Sequence, residues 1–145
     1  MKLKHLHSMG VRIYGDVTYR GACPPEVSEQ ITFFNQLRKR FPLIASIALH
    51  PRNEALLKGG QFSAIRRHRA EGMSPGAADI IIPGCPAFVC ELKRQDHTKS
   101  AWQEGQQNYL ASAASLGAFA CVALGADAAL TAANEWAKKI NTENV

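Results

Sequence analysis

Two short apolar runs, Ile80–Ile82 and Ala87–Leu92, joined by Pro83-Gly84-Cys85-Pro86, constrain this chain more than any other stretch. Runs of this composition around a Pro/Gly turn read as a β-hairpin. Three charges, Asp79, Glu91 and Lys93, are embedded in sequence that otherwise has the character of buried strand. Charges in such a setting are costly unless they are paired or bind a metal. Side chains alternate along a strand, so Glu91 and Lys93 share one face and Leu92 takes the other. Asp79, on the partner strand, joins that face if the connection has an odd number of residues or a bulge adjusts the register. Two carboxylates and an ammonium would then converge, a set of hard oxygen ligands suited to Mg²⁺ or Mn²⁺ beside one fixed positive charge. The plain alternative is a same-face Glu-x-Lys ion pair, worth ~0–1 kcal/mol when exposed, with Asp79 as a turn residue.

A chain of 145 residues suits a single domain, and its 46% hydrophobic and 20% charged residues are ordinary for a globular fold. The net charge of +5 favours a polyanionic partner. Cys23, Cys85, Cys90 and Cys121 form no Cys-x-x-Cys pair and read as reduced thiols of a cytosolic protein. A zinc site from Cys85, Cys90 and His97 is disfavoured because Cys90 should point away from Glu91. Neither an apolar leader nor a run long enough to span a membrane is present, so a cytoplasmic location is expected.

Along the chain, residues 1–23 have weak strand character around Val11–Tyr19 and are expected to form an N-terminal arm, mobile or exchanged, ahead of one domain over 24–145. After Pro24-Pro25, helical spacing of Val27, Ile31, Phe34, Leu37 and Phe41 predicts a helix stopped by Pro42. Leu43–Leu49 reads as a strand closed by His50-Pro51-Arg52-Asn53, and Gly59-Gly60 is a break. Arg66, Arg67, His68 and Arg69 form a basic segment just before the hairpin, able to hold phosphates or to be simply a solvated face. Beyond the hairpin, Arg94, His97 and Lys99 lie in a polar loop. Ser100 with Gln103 fits a capping box for a helix running through Leu116. Gln106 falls on the inward stripe of that helix with Tyr109, Leu110 and Ala113, and an amide there needs a polar partner. Ala118–Leu124 reads as a central strand and Ala126–Ile140 as a last helix. The order of elements is that of an α/β domain with a mixed β-sheet flanked by helices.

Ser28-Glu29 at the first helix, Glu71 through Gly76-Ala77-Ala78-Asp79, Glu91-Leu92-Lys93, and Gln106 followed by Leu116-Gly117 together resemble the PD-(D/E)xK nuclease superfamily, and within it the virus-type replication-repair nuclease (VRR-NUC) branch. The resemblance covers about residues 28–125 and implies a restriction-endonuclease-like core and a metal-dependent DNA nuclease; short members are often phage-encoded. It implies Asp79, Glu91 and the Leu92 backbone carbonyl as ligands of Mg²⁺ or Mn²⁺, Lys93 as the catalytic lysine, Glu29 as a helix-borne acid near the metal, and Gln106 as a supporting glutamine. Glu26, one turn before Glu29 on a similar helix face, competes for that place. Ala78 stands where the family usually has proline, which removes no functional group. Small standalone members act as homodimers on branched DNA such as four-way junctions, and Arg66, Arg67, Arg69 and Lys99 are the cations placed to hold phosphates. Two other classes remain on the residues alone: a nucleic-acid-binding module without catalysis, and a sugar hydrolase using Asp79 and Glu91 as acid and base. The first leaves two carboxylates facing DNA unexplained, and the second leaves Lys93 without a role.

Overall fold

The computed structural model describes residues 2–51 and 62–143; Arg52-Asn53 and the Gly59-Gly60 break lie outside the described residues. Its elements are α1 (Lys2–Ser8), β1 (Arg12–Tyr14), α2 (Glu26–Arg40), α3 (Pro42–Ala45), α4 (Phe62–Ala70), β2 (Ile80–Ile82), β3 (Phe88–Lys93), α5 (Gln106–Ser115), β4 (Phe119–Leu124) and α6 (Ala126–Glu143). A 3₁₀ turn at His97–Lys99 precedes α5. The sheet has the order β1-β4-β3-β2, with β1 and β3 parallel to β4 and β2 antiparallel to β3. This is the mixed, helix-flanked sheet expected of the sequence.

Both faces of the sheet are covered, so β3 and β4 are buried at every position, and β4 is apolar throughout. Phe88, Cys90 and Leu92 of β3 and Phe119, Cys121 and Ala123 of β4 join Phe33 and Leu37 of α2 and Trp136 of α6 in the main core. The alternate residues Val89, Val122 and Leu124 face a second core with Leu110 of α5 and Leu3 and Leu6 of α1. Glu91 and Lys93 therefore point to the α5 side. No helix of the described residues is long and apolar enough to cross a membrane.

Four expectations change. Residues 2–14 are packed rather than loose: α1 buries Leu3 and Leu6, and β1 adds a parallel edge strand to β4. Leu43–Leu49 is not a strand; Pro42 opens the short α3, a position proline favours, and only Leu49 bridges to Ile81. On α2 the buried stripe is Glu29, Phe33 and Leu37, whereas Val27 and Ile31 are 66% and 58% exposed. The capping box is not formed: Ser100 Oγ accepts from the Arg94 amide and donates to Glu26, and α5 begins only at Gln106, after Gly105 at φ +89°. Competing partners won in that last case, since a side chain that serves another element cannot cap its own.

Candidate active site

Ile80 pairs with Cys90 and Ile82 with Phe88, so residues 83–87 make a five-residue connection and Asp79 stands opposite Glu91. The odd loop puts both carboxylates on one face. Lys93 follows on the same face, with Nζ 3.5 Å from Glu91 Oε1. Asp79 Oδ2 accepts the Leu92 amide at 2.9 Å. The Leu92 side chain belongs to the main core, so its main chain is the part that meets the cleft beside Asp79. Both polar groups of a strand residue point to the same edge, which turns the Leu92 carbonyl towards Asp79 as well.

Glu91 is 0% exposed, and neither of its carboxylate oxygens has a hydrogen-bond partner among the described residues. Lys93 is its ion partner, but without hydrogen-bond geometry. Burial, and then the neighbouring Asp79 charge, push the Glu91 carboxyl well above its ordinary value, with Lys93 opposing them. A buried, unsatisfied carboxylate costs stability unless something completes it.

The Lys93 ammonium is held on the α5 side. It donates to Ala101 O at 2.8 Å and Gln106 Oε1 at 3.1 Å, and it lies 4.4 Å from the centre of the Trp102 ring. Gln106 is thus the first residue of α5, not a residue one turn in, and its carbonyl oxygen also takes the Gln103 amide at 2.9 Å. The polar partner that its inward position demanded is Lys93.

Glu29 is turned to the start of α6. Its Oε2 accepts the Ala126 amide at 2.6 Å, which satisfies a free N–H in the first turn of α6. Glu26, on the preceding turn of α2, lines the cleft with Asp79 and Leu92. Lys99 is exposed, and its ammonium donates to Gly21 O, pinning the 17–24 segment together with Arg94, which donates to Cys23 O and Pro24 O. Arg66, Arg67 and Arg69 are exposed on α4, with Arg67 3.8 Å from Glu71. Cys90 and Cys121 face each other across β3 and β4 in the core while Cys85 is exposed, so Cys85, Cys90 and His97 make no zinc site.

Two functional candidates were missed. The His50 ring donates from Nδ1 to Asp79 O at 2.6 Å, because a carbonyl can only accept, and Gln30 Nε2 reaches the same oxygen at 3.4 Å. Both line the cleft of about 280 Å³ next to Asp79. In the sequence His50 reads as an ordinary pre-proline residue; the Leu49–Ile81 bridge is what delivers it. Among the described residues no three His, Cys, Asp or Glu side chains already gather as a metal cage. The oxygen set is instead two carboxylates and a main-chain carbonyl, open to solvent on the Asp79 side, and such hard donors fit Mg²⁺ or Mn²⁺, which keep several waters. The orphaned oxygens of Glu91 are the observation that such an ion would satisfy.

No protein-family model and no curated protein matches the chain. A solved structure described as a VRR_NUC domain protein superposes with a TM-score of 0.63, covering 83% of this chain and 92% of that chain at 18% identity. The chain has a VRR-NUC-like fold. The likeness extends over most of both chains. At this identity the VRR-NUC-like architecture is what the two proteins share.

Proposed function

We propose that this chain is a Mg²⁺- or Mn²⁺-dependent DNA endonuclease of the VRR-NUC type, selective for branched DNA such as four-way junctions. The observation that carries the reading is the buried Glu91 carboxylate, unsatisfied by hydrogen bonds, opposite Asp79 and beside Lys93. Asp79, Glu91 and the Leu92 carbonyl would hold the ion, with Glu26 rather than Glu29 as the helix-borne acid facing the cleft. When bound, the ion polarises a phosphodiester and lowers the pKa of a bound water towards neutrality. Lys93, hydrogen-bonded to Ala101 O and Gln106 Oε1 and ion-paired with Glu91, serves as a fixed positive charge near the negative charge that develops on the phosphoryl oxygens. Arg66, Arg67 and Arg69 on the exposed face of α4 add sequence-independent attraction for phosphates. A second copy of the chain would supply the second cut of a junction. Val27, Ile31, Leu43, Ile47 and Leu49, exposed on or near α2 and α3, are apolar side chains that such a partner could cover.

The test is cleavage of a labelled four-way junction beside matched linear duplex and single strand, in Mg²⁺, Mn²⁺ and EDTA. Paired cuts in the junction that vanish in EDTA are expected. Cutting of linear DNA alone would overturn the substrate, and binding without cleavage under either metal would leave a non-catalytic module.

On this reading His50 and Gln30 position the main chain of Asp79 and hence its carboxylate. His50→Leu is expected to weaken Mn²⁺ affinity about 10–100-fold, as loss of outer partners of a metal ligand does. His50→Asn, whose amide nitrogen can donate from near the Nδ1 position, should restore most of it in calorimetric titration. Equal weakening in both variants would refute the positioning role.

A further inference from the structure

A cavity of about 550 Å³ lies beside the carboxylate cleft, between the 73–77 segment and the start of α5. Resting on the nuclease reading above, we propose that it receives an unpaired nucleotide flanking the bond that is cut. The two spaces adjoin: Gln103 lines both, and Pro51 of the cavity follows His50 of the cleft. Its size lies within the roughly 300–1,000 Å³ of small-molecule sites.

The chemistry of the walls points to a nucleotide. Gln106, 6% exposed, lines the cavity, and the donors Lys93 Nζ and Gln103 N both engage its side-chain oxygen. Two donors on one atom decide which end of the amide is oxygen. Its Nε2 has no hydrogen-bond partner among the described residues, so two N–H groups are offered to whatever enters. Accessible donors at a cavity wall take up an acceptor that enters, such as a base carbonyl, a ring nitrogen or a phosphate oxygen. Pro51, Met73 and Pro75 supply apolar surface for a planar ring, Arg69 a cation for phosphate, and Glu104 an acceptor for exocyclic amino groups.

A base inside a duplex is stacked on both sides and its pairing edge is engaged, so it cannot enter. Extrusion costs a few kcal/mol and least for a base already unpaired. The cavity therefore favours cutting next to nucleotides that are unpaired, or whose stacking is interrupted at a branch point, over cutting in continuous duplex.

The test places 2-aminopurine, whose emission rises on unstacking, at each position around the cut site of a DNA that the full-length protein cleaves. Complexes are formed in Ca²⁺ to hold back cleavage, and cutting is measured in parallel in Mg²⁺ and Mn²⁺. A severalfold rise confined to one position beside the cut bond is expected. Gln106→Glu, which keeps an oxygen for Lys93 and Gln103 but removes the N–H₂, and the exposed Arg69→Ala should each reduce that rise. Each should also weaken binding about tenfold, the worth of one charge-assisted hydrogen bond. A flat response at every position, or a rise that neither variant reduces, on DNA that is cut would overturn the cavity's role while leaving the nuclease standing. No cutting of any DNA in either metal would overturn both.

Discussion

Glu91→Gln is expected to reduce metal-dependent DNA cleavage about a thousandfold or more, because on the proposed nuclease reading several kcal/mol of transition-state stabilisation would pass through the metal that Glu91 would help to hold. The same substitution should change how stability depends on pH and on metal. Burial and Asp79 raise the Glu91 pKa in the folded protein above the ordinary 4.5. A raised carboxyl favours the fold in full below its unfolded value, and that contribution is lost as pH rises through the folded value. The metal-free wild type should therefore lose stability as pH climbs from about 4.5 into the raised range. An ion bound at a hundredfold excess over its Kd returns about 2.7 kcal/mol, or roughly 5–10 °C in Tm for a domain of this size. Glu91→Gln should flatten the pH profile and abolish the metal-induced shift. Thermal melts with and without Mn²⁺ at several pH values measure both, and a variant whose Tm still rises with Mn²⁺ would remove Glu91 from the ligand set.

Gly76→Ala is expected to cost about 2–4 kcal/mol, combining overpacking with a left-handed backbone that L side chains resist. Gly76 has φ +80°, and a Cβ there would come within 2.6 Å of Gly105 O and Gln106 N. Those atoms are backbone and cannot swing aside. The contact holds the 73–77 segment against the first residue of α5, and that residue carries the amide gripping Lys93. The variant should therefore weaken the site as well as the fold. Gly72→Ala is the control: Gly72 has φ +111° but nothing within 4 Å of the added carbon. It should lose only the conformational part, about 1–2 kcal/mol. Urea melts compare the two, and equal losses would mean that the crossing at Gly105 is loose.

Much of this arrangement was legible because it is local. Strand alternation put Glu91 and Lys93 on one face and the 3.6-residue period turned Gln106 and Leu110 inward, whereas Asp79 joins the Glu91 face because Ala87 belongs to the connection and not to β3. The first two follow from backbone geometry over a few residues. Local pattern was enough for the hairpin, the central β4, the long α6 and the shared face of Glu91 and Lys93. Packing settles what depends on partners distant in the chain. It turned Glu29 to the α6 N-terminus and Glu26 to the cleft, two residues that helix period alone could not separate. It took Ser100 out of its capping box for Arg94 and Glu26, and it drew α1 and β1 into the second core. It brought His50 onto the Asp79 carbonyl through the bridge at Leu49, and Gln30 onto the same oxygen from α2. A side chain with several possible partners takes the one that packing presents, and packing is a property of the whole chain.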